Sequence, residues 1–322
     1  MDILGIDISK EDFHAALLQG DHAAKKSFPN SSKGFAQLEA WLRNRRVSEV
    51  LACMESTGAY WRALADHLFK AGHQVRVVNP RRIKAFAEVE LSRNKTDAGD
   101  ALLIAHFAAA HRTRPYQPLA PEILELQGLV RHLEFLKKVR TQHITRVQTP
   151  GLPSSVVTST QKIIAELESQ IEDIERAIKD HIDRHPGIRT NKDLLVSIPA
   201  IGLKTAAGIL AEIPTITEFA SAQAVAAYAG LSPKLRESGT SVRGRSRLCK
   251  TGSARLRNLL YMPAIVAQRH NPTLRSFAER LRSAGKAKMV IIGAIMRKLL
   301  ILAYGVLKSR QPYDPAFMAQ PA

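Results

Sequence analysis

Four acidic side chains stand at positions where phosphodiester chemistry would need them. Asp7 closes a short apolar run, Ile3 to Ile6, and Glu55 closes another, Val50 to Met54. Asp97 and Asp100 follow in Asn94-Lys95-Thr96-Asp97-Ala98-Gly99-Asp100-Ala101. Their i, i+3 spacing puts both on one face of a helix, with Cβ atoms about 5–6 Å apart. An ionised carboxylate at the tip of a buried strand is costly without a partner, and a cation is the usual partner. Neighbouring strand ends in one sheet can set two carboxylates side by side. Four converging carboxylates suit a pair of Mg²⁺ ions about 3.5–4 Å apart, one activating the attacking oxygen and one the leaving oxygen. Lys95 would help to meet the phosphate charge. Three of the acids also have a plainer use: Asp7 as a turn residue before Ser9, Asp97 as a helix N-cap, Asp100 as a counter to the helix dipole.

A second chemical prospect lies far along the chain. Arg236 to Gly244 reads as a polar, glycine-punctuated basic loop. A serine among Arg236, Arg243 and Arg245 has the chemistry to attack a phosphodiester while guanidinium groups hold the phosphate. Lys250 extends the basic stretch. Composition does not choose among Ser232, Ser238, Ser241, Ser246 and Ser253, and each also reads as a solvated serine or a phosphate contact. Upstream, Leu195 to Leu210 has the form helix, short Ile-Pro-Ala-Ile-Gly hairpin, helix. Such hairpins offer backbone N–H groups to a phosphate at the start of the second helix. Ala200 stands where the first glycine of the hairpin usually is.

The charge of the whole chain agrees with a polyanionic partner. The 322 residues carry 47 Lys and Arg against 29 Asp and Glu, a formal net charge of +18. Between Leu231 and Arg310 there are 18 bases and only two acids, Glu237 and Glu279. Nucleic acid is the first expectation and an anionic membrane surface the second. The two cysteines, Cys53 and Cys249, make neither a disulfide framework nor a metal-ligand set, which fits a reducing cytoplasm. The start of the chain lacks the basic-then-apolar pattern of a signal peptide. Arg297 and Lys298 interrupt the apolar run Met289 to Leu307, which reads as a core helix rather than a membrane span.

These groups need elements to hold them. Strands are expected near residues 3–6, 13–18, 25–28, 50–54 and 74–78. Helices are expected from Asn30 to about Arg46, from Ala59 to Ala71, and from Arg81 to Ala110 with a break near Ser92 to Thr96. Strands followed by alternating strands and helices argue for an α/β domain with a mixed sheet. Pro115, Pro118 and Pro121 mark a linker. Ile123 to Val147 and Ser159 to Arg184 read as two long helices with near-heptad apolar spacing, an antiparallel hairpin or a coiled coil with a partner chain. The expected organisation is thus an α/β domain over 1–118, a helical arm over 119–186 and a mostly helical basic domain over 187–322.

The segments GIDISK, MESTGAY and NKTDAGDA, in this order, resemble the Asp-Glu-Asp-Asp set of the RuvC-like domain in insertion-sequence transposases of the "one-ten" family, understood as bridge-RNA-guided recombinases. The resemblance spans nearly the whole chain. It implies an RNase H-like fold with Asp7, Glu55, Asp97 and Asp100 as a Mg²⁺-binding tetrad. The family's catalytic serine sits in a Glu-Ser-Gly-(Ser/Thr)-Ser-Val-Arg-Gly context, which places the role on Ser238. The resemblance further implies a 5′-phosphoserine intermediate, strand exchange, element ends and target DNA as substrates, and a structured noncoding RNA as guide. Pairing two DNA sites requires more than one subunit, so a homodimer or tetramer is expected, working in the bacterial cytoplasm with no membrane. Three other readings are open on the residues alone. A metal-dependent junction nuclease would keep the tetrad and use water. An actin-like ATPase or sugar kinase would use GIDISK as a phosphate loop, but no second glycine-rich phosphate segment follows a strand. An architectural nucleic-acid binder would explain the charge but leave the four acids idle.

Overall fold

The computed structural model describes residues 1–20, 22–90, 96–238 and 242–315, with 235–238 and 242–246 described by their backbone alone. The chain divides into two compact units, Met1–Pro118 and Leu119–Ala322.

The first unit is built on β1 (Asp2–Ile8), β2 (Asp12–Gln19), β3 (His22–Pro29), α1 (Ser32–Arg43), β4 (Val50–Glu55), α2 (Arg62–Lys70), β5 (Gln74–Val78), α3 (Pro80–Val89) and α4 (Asp97–Ala110). The five strands form one sheet in the order β3-β2-β1-β4-β5. β1 pairs antiparallel with β2, and β2 with β3, while β1 pairs parallel with β4 and β4 with β5. This is a mixed α/β unit, as the strand and helix pattern predicts.

Side chains alternate across a strand, so each face of the sheet takes every second residue. Leu4, Ile6 and Ile8 of β1 join Phe13, Ala15 and Leu17 of β2 in a core with Phe35, Leu38, Trp41 and Leu42 of α1 and Leu64 and Leu68 of α2. The other face carries Leu51 and Cys53 of β4, packed with Ile83 of α3 and with Ile104, Phe107 and Ala108 of α4. Gly5 of β1 belongs to this second face. A Cβ built on Gly5 would lie 2.1 Å from the Ala101 carbonyl oxygen and 2.4 Å from the Ala105 nitrogen. A glycine in an apolar strand thus lets the backbone of α4 settle directly on β1.

The second unit contains α5 (Pro121–Val147), α6 (Ser154–Arg184), α7 (Pro186–Val196), α8 (Leu203–Glu212), α9 (Ala222–Tyr228), β6 (Pro233–Ser238), β7 (Val242–Leu248), α10 (Ala254–His270), α11 (Pro272–Ser283) and α12 (Lys288–Ser309). α5 and α6 pair with each other antiparallel, with Lys137 2.9 Å from Glu175 and Arg140 3.6 Å from Glu168. Of the two arrangements expected for these helices, the structure contains the hairpin. α5 also engages α8: the Gln127 amide donates to the Ala211 carbonyl at 2.7 Å, and Arg131 pairs with Glu212 at 2.9 Å. One continuous core therefore runs from Leu126 through Ile182, Ile198 and Leu260 to Leu299 and Leu307.

α12 is long and apolar enough to cross a membrane by length and composition, yet 61% of its most apolar window is buried inside the protein. Its Ile292, Ile295, Leu299, Leu300 and Ala303 are core residues.

One sequence expectation is overturned here. Arg236 to Gly244 is not a loop along its length. Residues 233–238 and 242–248 form an antiparallel two-stranded sheet, with Glu237 opposite Arg243 and Ser238 opposite Val242. Polar, glycine-punctuated composition argued for a loop, but each strand supplies the other's backbone partners, and that pairing does not require apolar side chains.

Candidate active site

The sheet geometry brings the first two acids together. Ile6 of β1 is in register with Met54 of the parallel strand β4, so the next residues along, Asp7 and Glu55, are neighbours on adjacent strands. Both follow the alternation that sends Gly5 and Cys53 towards α4, so both belong to the α4 face. On the other side of β1, Asp7 is directly opposite His14 of β2.

α4 supplies the remaining two. Thr96 caps this helix, its hydroxyl oxygen accepting from the Gly99 N–H at 3.2 Å. The N-cap role weighed for Asp97 therefore belongs to Thr96. Because Ala101 and Ala105 sit on Gly5, the helix starts over the end of β1, and Asp97 and Asp100 in its first turn come to Asp7. Asp97 is mostly exposed, at 72%, and lies 3.7 Å from the less exposed His14 ring, at 28%. The Thr57 hydroxyl donates to the Glu55 carboxylate and holds it.

The electrostatics register this convergence. The Asp7 carboxyl is pushed up from 3.8 to about 6, first by burial and then by the negative charges of Asp100, Glu55 and Asp97, with His14 acting in the opposite sense. Three acids drawn from β4 and α4 therefore act on one carboxyl of β1. A cation would relieve this repulsion, and hard carboxylate oxygens are the donors that Mg²⁺ prefers. The set fits a divalent cation in donor type and in backbone placement. In the present side-chain arrangement, however, no three His, Cys, Asp or Glu among the described residues form a group that could hold a metal ion. Glu55 is turned to Thr57 and Asp97 to His14.

His14 was not singled out from the sequence. Its signal was its place as the one polar residue in the otherwise apolar run Phe13 to Leu18. Lys95 lies outside the described residues.

In the second unit, Ser238 is the last residue of β6, at the tip of the β6–β7 hairpin, with Arg236 opposite Gly244 and Arg243 opposite Glu237. Arg245 lies further down β7. The base of the hairpin is firmly tied. The Cys249 N–H donates to Ser232 at 2.8 Å, the Lys250 N–H to Gly230 at 3.1 Å, and the Ser253 N–H to Tyr228 at 3.0 Å. Arg257 of α10 donates to the carbonyls of Ala229 at 2.9 Å and Gly252 at 3.1 Å. Gly252 has φ 149°, and a Cβ there would lie 2.3 Å from the Tyr228 carbonyl oxygen, so this close crossing requires glycine. Lys250 has φ 55° and is exposed.

The chain matches two family models. One, described as a transposase with the acidic DEDD set of the IS110 type, covers residues 4–149, and the other, described as the transposase IS116/IS110/IS902 family, covers residues 192–279. It is also 33% identical over 314 residues to the pilin gene-inverting protein of Moraxella lacunata, covering 97% of each chain. The chain belongs to the IS110 family of transposases. It is 25% identical over 299 residues to the transposase for insertion sequence element IS1111A of Coxiella burnetii, spanning 83% of this chain and 78% of that one. It is 27% identical over 302 residues to the transposase for insertion sequence element IS1328 of Yersinia enterocolitica, spanning 82% of this chain and 83% of that one. Transposases of this family cleave and rejoin DNA, and the DEDD group is typically metal-dependent. The first match covers all four acids; the second covers the β6–β7 hairpin and the clamp formed by Arg257.

Proposed function

We propose that this transposase is an RNA-guided site-specific recombinase that uses Ser238 as nucleophile and the Asp7, Glu55, Asp97 and Asp100 set as its Mg²⁺ site. The single observation that carries the reading is the convergence of the four acids on one face of the sheet, recorded in the raised Asp7 carboxyl. The strand order β3-β2-β1-β4-β5, antiparallel on one side of β1 and parallel on the other, supports an RNase H-like fold for the first unit.

In the cleavage step the Ser238 hydroxyl oxygen attacks the scissile phosphorus. A bond forms from Oγ to the 5′-phosphate, and the bond from phosphorus to the 3′-oxygen breaks. The serine proton ends on the released 3′-oxygen. Rejoining is the reverse attack by a 3′-hydroxyl, so bond count and charge are conserved without an external energy source. Mg²⁺, when bound by the four carboxylates, would supply charge stabilisation for the phosphate in flight. Arg236, Arg243, Arg245 and Lys250, all on or beside the hairpin, are the side chains proposed to hold the phosphate.

The substrates are the element ends and the target DNA. The guide is a structured RNA, and the assembly is a homodimer or tetramer acting in the cytoplasm. The net charge of +18 supports a polyanionic partner. The match to a pilin gene-inverting protein across 97% of the chain favours a second reading of the outcome, in which the same chemistry inverts the segment between two sites.

The test is a covalent trap. Protein, labelled DNA and a transcript of the noncoding DNA flanking the gene are incubated with Mg²⁺ and resolved under denaturing conditions. A protein–DNA adduct is expected from the wild type, and none from Ser238→Ala. Cutting that persists in Ser238→Ala would instead assign the chemistry to water and a junction nuclease.

A further inference from the structure

Beyond the candidate active site, the strongest unmatched feature of the second unit is the surface around the end of α11 and the start of α12. From Arg282 to Val290 the chain, RSAGKAKMV, is exposed along almost its whole length. Arg282, Lys286 and Lys288 form no ion pair among the described residues. Arg280 and Lys298 add two further cations, lying 5.4 Å and 5.5 Å from the ring centroid of Phe277. Glu279 is the single acid between Ser238 and Tyr313. Like charges gathered this way repel one another in the free protein, and a polyanion laid across them would relieve that repulsion.

The surroundings narrow the partner. Phe277 is half-buried and already engaged by its two cations, so it offers no open ring for a base to stack on. The apolar groups exposed beside the lysines, Met289 at 61% and Val290 at 51%, carry no aromatic face. Single-stranded nucleic acids and RNA loops are held largely by stacking on aromatic side chains. The phosphate backbone of a duplex needs no stacking platform, and Lys and Arg side chains supply most of the attraction to it without regard to sequence.

We infer that Arg280, Arg282, Lys286, Lys288 and Lys298 form a docking surface for the phosphate backbone of duplex DNA. This inference rests on the reading of the protein as a DNA recombinase, but not on the identity of its nucleophile. The surface would hold DNA flanking the reacting site, independently of sequence.

The test measures binding of the full-length protein to a labelled duplex over a range of salt concentrations. Removing one cation that neutralises a phosphate should flatten the slope of log K against log salt by about 0.9, so the triple variant Arg282→Gln, Lys286→Gln, Lys288→Gln should flatten it by about 2.7. Affinity at fixed low salt should fall by at least tenfold. The thermal midpoint should not fall, because the three side chains make no ion pair among the described residues and their removal relieves like-charge repulsion. An unchanged slope overturns the inference. So does a loss that appears only with an RNA hairpin, only with single-stranded DNA, or only with anionic vesicles. Ser238→Ala should keep the wild-type slope. An adduct that still forms in Ser238→Ala would sink the serine reading and leave this surface standing, whereas an unchanged slope in the triple variant, with no adduct from Ser238→Ala, would do the reverse.

Discussion

Gly5 and Ala101 approach so closely that no side chain fits between them: a Cβ on Gly5 would sit 2.1 Å from the Ala101 carbonyl oxygen. This contact sets how α4 lies against β1, and so where Asp97 and Asp100 stand relative to Asp7. Gly5→Ala must push the helix backbone off the sheet, because the obstructing atoms are main chain and cannot rotate away. The expected cost is about 1–3 kcal/mol of stability, as for other overpacked cores. Strand cleavage should fall much further than stability, since the displaced element carries two of the four acids. Thermal unfolding and a cleavage assay on the same preparation check this. Full activity in a destabilised Gly5→Ala protein would show that the acids do not depend on the docking of α4.

Asp7 should be a liability to the fold at neutral pH. Its carboxyl holds its proton up to about 6, against 3.8 ordinarily. Below 3.8 both folded and unfolded states are protonated, and the group contributes nothing. Between these values the folded state keeps a proton that the unfolded state has released, so stability falls as pH rises. Above about 6 the whole cost is present. Asp7→Asn should therefore stabilise the protein at pH 7.5, by about 1 kcal/mol after allowance for the partial exposure of the site. The gain should vanish by pH 4, and the variant should not cleave DNA. Added Mg²⁺ should raise the wild-type midpoint at pH 7.5 and leave that of Asp7→Asn nearly unmoved. Denaturant titrations at the two pH values, with and without Mg²⁺, decide it. A variant less stable than wild type at pH 7.5 would overturn the prediction.

What the sequence revealed about this site, and what it hid, follows from the range of the interactions. The apolar runs before Asp7 and Glu55 are local signals, and β1 and β4 lie where those runs put them. The helix start at Asn30-Ser31-Ser32 is likewise local, and Ser31 caps α1. The role of Gly5 is not local, because it concerns the backbone of Ala101 and Ala105, far along the chain. A lone glycine in a buried strand is a cue that something approaches closely, but not what. His14 became visible only when the register set it opposite Asp7. The β6–β7 hairpin was hidden for the same reason: polar strands held by backbone pairing carry no apolar alternation, and their composition is that of a loop.

Arg257 should control the order of the hairpin base more than the stability of the helices around it. It joins the carbonyls of Ala229 and Gly252, which bracket the chain entering and leaving the hairpin. Hydrogen bonds from a charged donor are worth about 1.5–3 kcal/mol when buried, and a guanidinium that is only partly buried should give less, so Arg257→Ala is expected to cost about 1–2 kcal/mol. The Cys249 and Lys250 amides, bonded to Ser232 and Gly230, should lose protection from hydrogen exchange, while amides in α12 keep theirs. Arg257→Lys should recover part of that protection. Uniform loss of protection across α10 and α12 would mean that Arg257 supports the whole unit rather than the hairpin.

Ala200 offers the converse, a site where the natural residue is strained. The turn Ile198-Pro199-Ala200-Ile201 closes with the Ile201 N–H donating to the Ile198 carbonyl at 2.9 Å, and Ala200 has φ 85°. Proline at the second position and a positive φ at the third are the marks of a type II turn, in which the third residue favours glycine. An L-residue in the left-handed region costs about 1–2 kcal/mol. Glycine would relieve that strain but lose about 0.5–1 kcal/mol through the greater freedom of the unfolded chain. Ala200→Gly should therefore stabilise the second unit by roughly 0.5–1 kcal/mol, a rise in midpoint of about 2 °C for a unit of this size. The side chain removed is small, and Ile198 and Ile201 on either side remain in the core. A lower midpoint for Ala200→Gly would mean that the packing of the Ala200 methyl outweighs the strain of its backbone, and that this hairpin uses alanine for its contacts rather than in spite of its geometry.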